Sequence, residues 1–298
     1  MNMTEFSGNM KKAVEKKLGQ GYSVEEVTIS KNNDIKLEAL VIRKEGINLS
    51  PTVYLASYFE SYENGESIKD VAGRLVRDFY AALPEGDIDV SFYEDYEKVK
   101  KGLSYKLISS ERNEFLLESV PHVPFLDLEI VFYYCFEMNG LPEGTILIRN
   151  SHMERWGVDT GLLMKDALEN APNAMPGRCQ RIGEFLDRMS GHGSGFITQD
   201  IESVPLYVVT NRQMSNGAAT MLYPGLLKDL SDKLGRNLFL IPSSVHEIIA
   251  FADDGEEDTG CIKDMIFSIN RTQVEPQDVL SDSLYYFDRD TGKITFAS

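Results

Sequence analysis

The sequence is poor in the residue sets on which most protein chemistry depends. Only three cysteines occur in 298 residues; Cys135, Cys179 and Cys261 stand far apart, and no CxxC pair exists. A zinc ribbon and a redox dithiol both need closely spaced thiols, so neither is expected, and free thiols in a reducing compartment are. The four histidines, His122, His152, His192 and His246, are too scattered to suggest a zinc centre of three or four ligands. No metal site and no cofactor is expected. No stretch approaches the roughly 20 uninterrupted apolar residues that cross a bilayer. The most apolar run, 131–138, contains Glu137 and reads as a buried strand. The opening MNMTEFSGNMKKAVEKK lacks a basic segment followed by an apolar one, so no secretory signal is read. A cytoplasmic location without membrane contact is the expectation.

Positive charge is also scarce. Lys and Arg number 30 against 47 Asp and Glu, a formal net charge of −17. Binding to bare nucleic acid exchanges protein cations for counterions, and no basic block offers them, so direct nucleic-acid binding is not expected. The densest basic clusters, 11–17 and 98–101, sit among glutamates on helix-like stretches and read as solvated faces. The acidity is spread over the whole chain; it serves solubility, with mimicry of nucleic acid as the alternative.

The rest is ordinary globular material, 42% hydrophobic and 26% charged, enough for one large or two smaller cores. Phe6, Met10, Ala13, Val14 and Leu18 share one helical face, ended near Gly19 and Gly21. Alternating stretches at 24–30 and 35–42, joined by Lys31-Asn32-Asn33-Asp34, predict a β-hairpin. Ser67 with Asp70 predicts a helix start, and Ile68, Val71, Leu75, Val76 and Phe79 its buried stripe. Further strands are expected at 103–109, 128–136, 145–149, 204–210, 237–241 and 245–251. Helices are expected at 161–170, stopping before Pro172, and at 177–189, 225–234 and 260–270. A terminal hairpin pairs 283–287 with 293–296 across Arg289-Asp290-Thr291-Gly292. Strands and helices mix without regular βαβ units. The predicted class is therefore α+β, with mixed or antiparallel sheets and flanking helices in two similar-sized parts. The flexible Ser190-Gly191-His192-Gly193-Ser194-Gly195 suggests domains at 1–190 and 196–298.

The sharpest motif is Pro242-Ser243-Ser244-Val245-His246-Glu247-Ile248-Ile249-Ala250. HExxH would hold zinc between two histidines one turn apart, but its fifth position here is Ala250. Read as a strand, the segment puts Ser244 and His246 on one face as candidate nucleophile and base, with Glu247 a candidate carboxylate. No G-x-S-x-G elbow accompanies them; hydrogen bonding within a turn between strands is the competing role. The glycine-rich loop around His192 matches neither GxGxxG nor GxxxxGK[ST]. The acidic run 253–258 is too contiguous for a calcium loop. Asn150, His152 and Trp156 follow a strand and are candidates to line a pocket, or to cap and pack the next helix. Arg178, Asn211 and Arg212 complete the ligand-binding candidates. With Arg149, Arg155 and Arg181, the arginines would supply contacts to an anion.

Five stretches together resemble one family: YLASYFESYENGESI at 54–68, VPFLDLEIVFYYCFE at 123–137, ILIRNSHMERWGVDTGLLMKDALENAP at 146–172, the long run from Val204 to Ile249, and VEPQDVLSDSLYYFDRDTGKI at 274–294. The chain is similar over nearly its whole length to a bacterial family of unknown function, the domain of unknown function fifty-six eighty-eight. The resemblance implies a bacterial, intracellular setting in mobile genetic elements, with an accessory role such as regulating transfer or blunting a host defence. It supplies no catalytic residues. The expected function is a non-enzymatic module binding a protein or a small anionic ligand. A hydrolase using Ser244 and His246, or a sponge for a nucleotide signal, are the alternatives.

Overall fold

A computed structural model describes residues 1–48, 50–83, 91–138, 141–189 and 205–298. Asn2 opens helix α1 (Met3–Leu18) through a reciprocal capping box with Glu5, and Gly19 closes it at φ 76. The i, i+4 rhythm buries Phe6, Met10, Val14 and Leu18. The predicted hairpin forms as β1 (Tyr22–Ser30) and β2 (Lys36–Lys44), and its turn holds Asn33 and Asp34 at positive φ, where Asn and Asp cost least. A third strand, β3 (Thr52–Tyr54), pairs with β2. Helices α2 (Ala56–Glu63) and α3 (Ile68–Ala82) follow. The Ser67 side chain caps α3 by accepting from Asp70 N at 3.2 Å. Tyr58 donates to Asp78 at 2.5 Å, and burial first, then that carboxylate, pushes its phenol up to about 12. These elements share one core and belong to a compact unit of residues 1–92 and 137–142.

The second unit, residues 93–136 and 143–298, carries the rest apart from the facing ends of β6 and β7. In chain order come α4 (Tyr96–Val99), β4 (Leu103–Ser109), α5 (Glu114–Leu117), β5 (His122–Phe125), β6 (Leu128–Met138), β7 (Leu141–Leu147), α6 (Asn150–Trp156) and α7 (Thr160–Ala174). Then follow β8 (Gly177–Arg181), α8 (Ile182–Met189), β9 (Tyr207–Asn211), a 3-10 helix (Gly217–Leu222), α9 (Leu226–Leu234), β10 (Leu238–Ile241), β11 (Ile248–Ala252), α10 (Thr259–Thr272), β12 (Tyr285–Phe287) and β13 (Ile294–Phe296). One sheet is ordered β4-β6-β5 with β7 beside β6; the other is ordered β13-β12-β10-β11-β9-β8. Leu103, Tyr105 and Leu107 of β4, Leu238 and Leu240 of β10 and Leu163 of α7 enter one core. On the opposite face of β10, Phe239 and Ile241 pack against Ile266 of α10.

The class is α+β, as expected, with antiparallel sheets. Three elements differ from the reading of the sequence. The strand expected at 245–251 begins only at Ile248, and residues 245–247, read as its start, lie in a bend. Residues 177–181, expected at the start of a helix, are strand β8, because β9 offers a partner along its length. Helix α7 runs through Pro172 to Ala174; near a helix C-terminus proline interrupts only the last bonds, and Met175 N still reaches Ala171 O at 2.8 Å. The expected boundary at 190–196, and His192 with it, lies outside the described residues.

At the β5–β6 turn, Leu126 adopts φ 56 and Asp127 presents its carboxylate to the C-terminal segment. Asp127 accepts from Ser281 at 2.7 Å, from Ser283 at 3.0 Å and from the Tyr285 hydroxyl.

Candidate functional site

Between β10 and β11 the chain does not continue as a strand; residues 242–247 form a bend fastened on two sides. Val245 N donates to Asp278 O (2.8 Å), Leu280 N to Ser243 O (3.1 Å) and Ser281 N to Pro242 O (2.9 Å). On the other side Ala218 N donates to Val245 O at 3.2 Å. Within the bend, His246 N donates to Ser244 Oγ at 3.0 Å. The imidazole faces two groups: Nδ1 accepts from Asn216 N at 3.3 Å, and Nε2 approaches Asp278 Oδ1 to 3.4 Å. An accepting Nδ1 places the proton of neutral His246 on Nε2, toward the carboxylate. Glu247 sits beside this pair. Burial raises its carboxyl above the ordinary range, while the Ser244 hydroxyl and His246 pull it back and Asp278 adds to the rise.

The partner loop 211–216 holds two non-glycine residues at positive φ, Met214 (54°) and Asn216 (51°). Such strain persists only where surroundings over-determine it, and here they do. The Asn211 amide donates to Ser215 O (2.6 Å) and accepts from Ser215 N (3.2 Å). Thr210 Oγ1 donates to His246 O at 2.7 Å. A Cβ on Gly217 would collide with Thr210 Oγ1 and His246 O and come within 2.9 Å of Asn211 N, so only glycine fits.

From Gly217 the buried 3-10 helix runs to a groove of about 500 Å³. Its apolar lining comes from Met221, Leu222, Tyr223 and Leu227, from Phe287 and Ile294 of the β12–β13 hairpin, and from Phe125 of β5. The rim is charged: Arg289 donates to Asp232 at 2.8 Å and Lys228 pairs with the same carboxylate. Those two bonds, Lys228 first, hold Asp232 below the ordinary carboxylate range. The hairpin tip is positioned by Arg289 N donating to Asn237 Oδ1 at 2.9 Å.

Of the residues singled out in the sequence, Ser244, His246, Glu247 and Asn211 meet around Gly217. Arg212 follows in the exposed loop, and Arg178 lies on β8 opposite Thr210. Asn150, His152 and Trp156 form a separate cluster on α6. Asn150 donates to Glu118 O at 3.2 Å, His152 Nδ1 accepts from Arg149 N at 3.1 Å, and Trp156 donates to Tyr93 O at 2.8 Å. Burial, then Arg149 and Arg155, lowers the His152 pKa. Sequence reasoning missed Asp278, Asn216 and the groove. Asn216-Gly217 is a turn dipeptide and was the available signal; Asp278 carries none. Among the described residues no group of three His, Cys, Asp or Glu is placed to hold a metal, and no helix is long and apolar enough to cross a membrane. None of the three cysteines is in a disulfide.

Fold and site together define an α+β protein with a braced polar bend and a groove of mixed polar and apolar lining. The chain belongs to a family of unknown function, DUF5688, whose model matches residues 3–289. No curated protein and no solved structure matches it.

Proposed function

We propose that the chain is a binding module rather than a catalyst, and that its groove receives an apolar group of a ligand or partner protein. The observation that carries this reading is the direction of the His246 ring, whose Nδ1 accepts from Asn216 N and whose Nε2 approaches Asp278. A general base needs a free nitrogen within reach of its nucleophile, whereas Ser244 Oγ accepts from the His246 backbone. The bend therefore acts as a brace, and the 3-10 helix it anchors carries the groove wall. A volume of about 500 Å³ suits a small molecule or one or two side chains. On the rim Lys228 and Arg289 are already paired with Asp232, so the walls rather than the rim would select the ligand. The setting we propose is that implied by the family resemblance: a cytoplasmic accessory protein of bacterial mobile elements, acting in regulation or counter-defence.

A library of small apolar fragments, followed by methyl NMR of Met221, Leu222 and Ile294, tests this. Fragments should shift those methyls, and Leu222→Arg should abolish the shifts without lowering the melting temperature by more than a few degrees. Fragments that leave these methyls untouched, or that bind the variant equally, refute the reading. Turnover of ester substrates lost in both Ser244→Ala and His246→Ala, with melting unchanged, would favour the hydrolase instead.

A further inference from the structure

We propose that the groove's occupant is an extended peptide segment of a partner protein, which adds as a strand to the free edge of β13. This rests on the binding reading above and names the kind of partner. Among the described residues β13 is the outermost strand of its sheet. Asp288 N donates to Lys293 O and Ala297 N to Leu284 O, both at 2.9 Å. With Phe287 opposite Ile294 and Tyr285 opposite Phe296, these bonds set the phase of the ladder: residues 293, 295 and 297 turn their backbone groups toward β12. Ile294 and Phe296 therefore turn theirs outward, and among the described residues no strand pairs with them.

Side chains two apart share a face. Ile294 lines the groove, and Phe296, 49% exposed, follows on the same face with its ring 5.7 Å from that of Tyr285. An added strand would place alternate side chains opposite these two residues. One would enter the groove and the other would cover Phe296. Backbone bonds would give the grip, and the groove the selectivity. A second copy of the chain is the poorer occupant, since each carries −17.

A display library of random short peptides is selected on the wild type, and enriched peptides are titrated against variants. Phe296→Pro removes one outward amide hydrogen and leaves the β12 ladder, which does not use it; Phe296→Ala keeps the amide. Enriched peptides should carry two apolar residues separated by one position. They should bind Phe296→Pro about tenfold more weakly or worse, bind Phe296→Ala with a smaller loss, and slow amide exchange at residues 294 and 296. Peptides that bind Phe296→Pro normally yet fail on Leu222→Arg would overturn strand addition and leave the binding reading standing. Enrichment of no peptide, with fragments still bound, does the same. Self-association abolished by Phe296→Pro would assign the edge to a second copy and overturn the proposal. If the proline variant does not fold, exchange at residues 294 and 296 of the wild type decides alone, and unslowed exchange overturns it.

Discussion

Replacing Gly217 by alanine isolates how tightly the bend and its partner loop are fitted. The new methyl would meet Thr210 Oγ1 and His246 O, the two ends of one hydrogen bond, and the Asn211 amide nitrogen at 2.9 Å. Two of the three are backbone atoms, so relief requires β9 and the bend to part. Overpacking costs about 1–3 kcal/mol, and losing the Thr210–His246 bond adds about 1 kcal/mol. A total near 3 kcal/mol corresponds to a fall of roughly 6–12 °C in the melting of a unit this size. Gly225→Ala is the matched control. Gly225 has φ 84 and nothing within 4 Å of its Cβ position, so its cost is conformational, about 1 kcal/mol. Calorimetry on both variants separates crowding from backbone strain. If Gly217→Ala melts no lower than Gly225→Ala, the close fit described around His246 is wrong.

Glu247→Gln tests the buried carboxyl. A carboxyl whose folded pKa lies above its unfolded value is taken up protonated by the folded state. Its contribution to stability is therefore greatest below the unfolded pKa and falls as pH rises through the folded one. Denaturant titrations should show the glutamine variant gaining on the wild type from acid to neutral pH, and a constant difference would remove the assignment. Asp127→Ala strips three hydroxyls of their acceptor and should cost about 3–5 kcal/mol by urea unfolding; a loss under 1 kcal/mol would contradict the geometry. His246→Ala leaves the Asn216 amide unpaired, a loss of about 1–3 kcal/mol. It should speed amide exchange at Asn216 and Gly217 before it affects β10, and unchanged exchange there would dissociate the ring from the loop.

Local signals carried much of the fold. The apolar face from Phe6 to Leu18 ending at Gly19, the Ser67 cap and the turn glycine at 292 each act within a few residues, and each marks an element the structure contains. Elements defined by a distant partner were illegible. Gly177-Arg178-Cys179-Gln180-Arg181 has no alternation to announce β8, which exists because β9 pairs with it. The 3-10 helix GAATML buries every residue from Gly217 to Met221, and its sequence carries no period to distinguish one face from another. In the polar bend, Ser244, His246 and Glu247 stood out by residue type. Their carboxylate partner did not, because Asp278 arrives through a backbone bond to Val245 from 33 residues away.

The three hydroxyls gathered on Asp127 come from 154 to 158 residues further along the chain. During synthesis at ~5–20 residues per second, the turn holding that carboxylate leaves the ribosome on the order of ten to thirty seconds before its donors exist. The β5–β6 ribbon must spend that interval without its fastening, so the second unit closes late. Its nascent form is a natural target for chaperones and proteases.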